Sequence, residues 1–239
     1  MPTLKDGSVV ADVRFDRLVQ FDERSRAFAA VDAVPTRKHR SYRWRPGPVL
    51  DQGNEGACVG FALTHELMAR PVPVAGLDGK FARDRIYHEA QRLDPWEGGA
   101  YEGASPFYEG TSVLAGLKAV RALGYIGGFR WCFGLTDVRL ALGYAGPITF
   151  GLSWYEGMTR PEPDGRIRPT GRLLGGHAIL GYRNDERNAR VWLTNSWSAA
   201  WGMGGTCYLT YDDLETLLYQ AGEASIATGR KLTEGDAPK

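Results

Sequence analysis

The apolar pattern of this 239-residue chain changes period partway along, and that change constrains the fold most. From Cys58 the run CVGFALTHELMAR is apolar nearly all round, which predicts a buried helix. Ala82, Ile86, Ala90 and Leu93 fall on one face and predict a second helix over Phe81–Leu93. A third begins after Thr111-Ser112, a capping pair, and runs through Leu114, Leu117 and Val120 to Gly124. A short helix follows Thr136-Asp137. Beyond it the pattern becomes strand-like over 147–154, 177–183, 190–195 and 206–211, with 184–188 reading as a hairpin loop. Helices first and antiparallel strands later predict an α+β fold: a helical lobe, then a β lobe, with a ligand site between them.

Three short segments carry chemistry. In the first, Gln52 lies six positions before Cys58, at the point where a glycine-containing polar loop enters the helix. A helix N-terminus offers unsatisfied N–H groups and partial positive charge, both of which favour thiolate. A buried structural cysteine is the alternative from local sequence alone. In the second, His177 follows two glycines and opens an apolar strand, Gly176-His177-Ala178-Ile179-Leu180-Gly181-Tyr182. An imidazole that reaches a thiol can take its proton; alone, such a histidine can equally be structural. In the third, Asn195-Ser196-Trp197 precedes Trp201-Gly202. An amide there can accept an imidazole N–H, and an indole can shield the bond.

Together, in this order, the three segments resemble the papain family of cysteine peptidases, over about Trp44 to Ala227. The resemblance implies a two-lobed fold with the cleft between helical and β lobes. It implies Cys58 as nucleophile, His177 as general base and then acid, and Asn195 as the group that orients it. The Gln52 amide and the Cys58 N–H would form the oxyanion hole. Trp197 would cover the Asn195–His177 contact, and Gly110, in Glu109-Gly110-Thr111-Ser112, would pair with the substrate backbone. Trp154 is a candidate for lining a side-chain pocket. The family's aromatic after the nucleophile is Val59 here, its preceding cysteine is Glu55, and its long helical propeptide is not recognisable.

The expected activity is peptide-bond hydrolysis through an acyl-enzyme thioester. A peptidoglycan-acting amidase or acyltransferase with the same triad is the alternative, as is a catalytically silent papain-like binding module. Cofactors and metals are not expected, because cysteines and histidines do not cluster at ligand spacings. His65 and His88 read as surface or packing residues.

With 29 basic and 28 acidic side chains, the net charge of +1 gives no case for nucleic acid. No run approaches the ~20 apolar residues of a membrane helix. The expected partner is a peptide or protein substrate, and oligomeric state does not follow from the sequence. No secretory signal is visible and three cysteines are too few for a disulfide framework, so the expectation is cytoplasmic, with Cys132 and Cys207 as structural thiols. The disulfide-free form fits a bacterial or viral origin.

Residues 1–40 read as an N-terminal arm, 41–228 as the peptidase domain and 229–239 as a flexible tail. Val13, Phe15, Leu18, Val19 and Phe21 stand among charges in the arm. They predict that it packs outside the β lobe or over part of the cleft.

Overall fold

The computed structural model describes residues 1–34 and 37–230. Pro35, and the tail expected over 229–239 from residue 231 on, lie outside the described residues. The elements run β1 (Arg17–Leu18), β2 (Tyr42–Arg43), α1 (Cys58–Met68), α2 (Gly79–Phe81), α3 (His88–Leu93), β3 (Thr111–Ser112), α4 (Val113–Ala122) and β4 (Gly128–Trp131). They continue with α5 (Leu135–Tyr144), β5 (Ile148–Tyr155), β6 (Leu173–Asp185), β7 (Arg190–Thr194), β8 (Thr206–Thr210), α6 (Tyr211–Tyr219) and β9 (Glu223–Thr228). This is the α+β arrangement that the change of period predicts.

All eleven residues of α1 are buried, as an all-round apolar helix requires. Neighbours approach it closely at two glycines. A Cβ on Gly60 would stand 2.4 Å from the Ala82 carbonyl, and one on Gly116 would stand 2.5 Å from Leu63. The helix expected over Phe81–Leu93 is present as α2, a π-helical stretch at Ala82–Tyr87, and α3. α4 begins where Ser112 accepts from the Ala115 N–H, as a capping serine does. Cys58, Leu63, Ile86, Leu117 and their neighbours form the core of this helical lobe.

The β lobe is a seven-stranded sheet of order β4-β9-β5-β6-β7-β8, with β2 added to β6. Its pairings are antiparallel. A larger core of Phe150, Leu152, Ile179, Leu193, Leu209 and Leu214 lies on it. The three cysteines are free and buried, with Cys132 and Cys207 in that core.

The arm takes the cleft. β1 pairs with β3 in parallel, Arg17 against Thr111 and Leu18 against Ser112, and Asp16 bridges to Gly176 on β6. The arm therefore lies between the lobes and touches both. Lys5 anchors its start through a fully buried ion pair with Asp94, 3.2 Å long. Leu4, Val10 and Leu18 form a small core of their own there, backed by Trp96.

Candidate active site

Cys58 opens α1, and no side chain caps that helix start, since Ala57 holds the cap position. The first-turn amides are thus directed at whatever lies in front of the thiol. Cys58 is wholly buried. Its Sγ accepts from the Ala178 N–H at 3.3 Å, which sets it beside the residue that follows His177.

His177 is equally buried, on β6. Its Nε2–H donates to Asn195 Oδ1 at 2.8 Å, and the same oxygen accepts from the Ser196 N–H at 2.8 Å. This arrangement makes Nδ1 the basic nitrogen. The imidazole sits in an aromatic box. Trp154 meets it edge-on with centroids 4.7 Å apart, Trp197 lies at 4.9 Å, and Phe15 of the arm is 6.5 Å away. Trp197 is half-buried, with its ring tilted against the imidazole. Trp154 is 0% exposed, so it supports the imidazole from within the core and has no surface with which to line a pocket.

Gln52 is held on both sides. Its N–H donates to Ser196 O at 2.8 Å, its Oε1 accepts from the Ser196 hydroxyl at 2.6 Å, and its Nε2 donates to Glu55 O at 2.8 Å. His65, two turns along α1, accepts the Leu50 N–H at 3.0 Å and so pins the loop that delivers Gln52. Burial pushes His65 down to about 4, and it is neutral. Gly110 has φ +93°, the left-handed region, and its N–H donates to the Tyr87 hydroxyl. A Cβ there would stand 2.6 Å from the Asp16 carbonyl, so the glycine lets the arm pass.

The local motifs do not announce what covers the thiol. Cys58 Sγ donates to Asp16 Oδ1 at 3.1 Å. Glu109 stands close by and accepts the Gly56 N–H at 2.9 Å. A Cβ on Gly56 would lie 2.2 Å from Asp16 Oδ2 and 2.7 Å from Glu109 Oε2, so both carboxyls converge on a glycine. Asp16 is pushed well up, first by burial and then by Glu109. Cys58 is also pushed well up, by burial and then by Asp16. Burial pushes His177 down to about 4. The arm's Arg14 carbonyl faces Nδ1 at 3.3 Å, a contact that is a hydrogen bond only when the ring is protonated. With the arm in place the thiol keeps its proton and the imidazole is neutral. The thiolate–imidazolium pair is not formed.

Arg17 is the second arm residue at the site. Its side chain is 1% exposed and its Nη1 lies 3.4 Å from Glu223 Oε2. Among the described residues, Asp16 Oδ2 and Arg17 Nε both lack a hydrogen-bond partner. Such orphaned buried atoms cost about 1–3 kcal/mol each, so the docked arm is less than fully satisfied. Among the described residues, no group of three or more histidines, cysteines and carboxylates could hold a metal ion. No helix among them is long and apolar enough to cross a membrane.

No family model matches this sequence, and no curated protein matches it. Solved structures do match in fold. Xylellain, a cysteine protease from Xylella fastidiosa, superimposes with a TM-score of 0.66 at 15% identity, over 94% of this chain and 99% of that one. Procathepsin L 3 of the Tenebrio molitor larval midgut gives 0.57 at 15% identity, over 91% and 77%. The stem bromelain precursor gives 0.52 at 15% identity, over 95% and 80%. The fold is that of the papain-like cysteine proteases.

Proposed function

We propose that the chain is a cysteine peptidase of Cys-His-Asn type, held latent by its own residues 1–40. The observation that carries this reading is the 2.8 Å contact from His177 Nε2–H to Asn195 Oδ1, one residue along β6 from the amide that touches Cys58 Sγ.

Once the arm has left, the thiol proton passes to His177 Nδ1. The thiolate attacks the substrate carbonyl carbon. The resulting oxyanion takes the Cys58 N–H and the second Nε2 hydrogen of Gln52, the first being used on Glu55 O. Collapse of the tetrahedral intermediate breaks the C–N bond, and the imidazolium gives its proton to the leaving amine. Water, deprotonated by His177, then hydrolyses the thioester. Trp197 keeps water off the His177–Asn195 bond. Gly110 has its N–H on the Tyr87 hydroxyl and its carbonyl on Gln91 Nε2, so the strand Thr111–Ser112, on which the arm lies, guides the substrate backbone instead.

Direction explains the latency. The imidazolium must reach the leaving amine, so the leaving half of a substrate runs past His177 and Trp197. The acyl half runs past Thr111 and Ser112. The arm sets Arg14 over Trp197, with its guanidinium carbon 5.4 Å from the ring centre, and sets Arg17 and Leu18 on β3. Its N-terminal end thus lies on the leaving side, where a substrate has its C-terminal end. The arm fills the cleft backwards and is not presented for cleavage there.

The test is turnover of a peptide library and of peptidoglycan fragments by the Phe15→Ala chain, alone and with Cys58→Ala or His177→Ala added. Cleavage of peptides by Phe15→Ala, lost in both double variants, supports the reading. Release of products only from peptidoglycan fragments identifies a wall amidase instead. No turnover of either, with the arm loosened by Phe15→Ala, leaves a silent module.

A further inference from the structure

Resting on the peptidase reading, we propose that His65 is a positioning residue for the oxyanion site. It sets Gln52 against the Cys58 N–H by holding the loop that carries Gln52 to the helix that carries Cys58.

The two oxyanion donors come from different parts of the chain. The Cys58 N–H belongs to the first turn of α1, and the Gln52 amide stands on the loop before it. The chain between them contains Gly56 and also Gly53, which has φ +61°, so its covalent path does not by itself fix Gln52. On the β-lobe side, residues 50–52 run antiparallel to 196–198. The Gln52 N–H donates to Ser196 O at 2.8 Å, the Ser198 N–H donates to Leu50 O at 3.3 Å, and Asp51 bridges to Trp197. Those contacts refer Gln52 to the other lobe, not to the thiol's own helix. Among the described residues, the hydrogen bond from 50–52 to α1 runs from the Leu50 N–H to His65 Nε2, at 3.0 Å. Seven residues is close to two turns, so His65 lies about 10 Å along the same face of α1 as Cys58. Through His65, Gln52 is referred to the same rigid body as the Cys58 N–H.

The chemistry of the side chain separates this role from core packing. The imidazole is buried and neutral. With Nε2 accepting, its hydrogen sits on Nδ1, and Nδ1 has no hydrogen-bond partner among the described residues. His65 thus satisfies one buried N–H and strands another, which gives the fold no net hydrogen bond. What it does give is a fixed place for Leu50, two residues before Gln52. A leucine at 65 would fill much of the same space and leave the Leu50 N–H without its anchor.

The test uses the full-length chain carrying Phe15→Ala to loosen the arm, with His65→Leu, His65→Asn or His65→Gln added. A glutamine ends near the place of Nε2 and can accept the Leu50 N–H. An asparagine ends near the place of Nδ1 and falls short, and a leucine has no acceptor. Two reactions are followed. Hydrolysis of a peptide that the Phe15→Ala chain cleaves gives kcat and KM and needs the oxyanion site. Alkylation by iodoacetamide, in which the Cys58 thiolate displaces iodide from a saturated carbon, forms no oxyanion and is read by intact mass and mapping. His65→Leu and His65→Asn should lower kcat roughly 10- to 100-fold, approaching the loss of one oxyanion donor, with KM little changed. Their Cys58 alkylation rates should not change, and Cys132 and Cys207 should stay unlabelled, as in a folded chain. His65→Gln should recover most of kcat. Added to Gln52→Ala, His65→Asn should cost nothing further, because the two residues act as a unit. If His65→Leu unfolds and labels all three cysteines, the Asn and Gln variants decide. An unchanged kcat in His65→Asn, a kcat loss matched by an equal loss of alkylation, or full additivity with Gln52→Ala overturns the positioning role and leaves the peptidase reading standing. If the Phe15→Ala chain itself cleaves no peptide, the peptidase reading falls and this inference with it.

Discussion

At the scale of single residues, the site is controlled by where protons sit. His177 is held down to about 4 in the docked state, against about 6.5 for a free imidazole. Between those values the docked state binds fewer protons than the released one. Docking therefore weakens as pH falls through that window, by about tenfold per pH unit. Asp16 and Cys58 are pushed up, so the docked state keeps protons that the released groups would lose. That contribution weakens docking as pH rises. The charged groups that face these three are Glu109 beside Asp16, Arg17 beside Cys58, and Arg14 and Arg17 beside His177. Between about 4 and 6.5 the two contributions oppose each other, and above that window the Asp16 and Cys58 contribution stands alone. Corrected for trypsin's own pH dependence, nicking after Arg14 and Arg17 should therefore rise as pH climbs above 6.5. Asp16→Asn should blunt that rise. A corrected nicking rate that stays flat above 6.5 would contradict the linkage. For turnover, His177→Ala should remove the general-base contribution, about 10²–10⁴-fold. Asn195→Ala should cost less, because it loosens the orientation of a base that remains.

At the scale of elements, local signals were legible where one segment carries them whole. α1 and the capped start of α4 follow from apolar spacing and Ser112. β4, α6 and β9 are absent from the sequence reading. β4 is four residues, three half-buried and only Trp131 buried, and β9 is rich in small ones. α6 did carry a signal, since Thr210 accepts from the Asp213 N–H at its cap, but the preceding strand pattern absorbed it. Gln52, Cys58, His177 and Asn195 lie in compact motifs and could be named. Asp16, Glu109 and Glu223 could not, because their meaning depends on partners far along the chain. Asp16 meets Cys58 across 42 positions, and Arg17 meets Glu223 across 206. The close approach at Gly60 yields an element-scale prediction. Gly60→Ala places a Cβ 2.4 Å from the Ala82 carbonyl, a backbone atom that cannot swing aside. It should destabilise the chain by about 1–3 kcal/mol, read as a lower denaturation midpoint. An unchanged midpoint would mean that the two helical segments separate easily.

At the scale of the molecule, the arm is a third layer laid between two lobes. Its hold is spread out: the Lys5–Asp94 pair, the Leu4, Val10 and Leu18 core, Phe15 against Trp197 at 5.8 Å, and Arg17 against Glu223. Phe15 is 3% exposed. Its truncation to alanine should cost about 3–5 kcal/mol of docking, the scale of a buried aromatic. At the other end, Arg230 donates to the carbonyls of Leu67, Ala69 and Val72, so the chain stays tied to the end of α1 just past β9. The central claim is that Cys58 is a nucleophile whose reactivity the arm suppresses. The most direct measurement is the rate at which an epoxysuccinyl peptide alkylates the full-length chain, followed by intact mass and mapped to a residue. The account predicts one adduct, on Cys58, slow in wild type, at least tenfold faster in Phe15→Ala, and absent in Cys58→Ala. Equal rates in wild type and Phe15→Ala, or an adduct on Cys132 or Cys207 in its place, would contradict it.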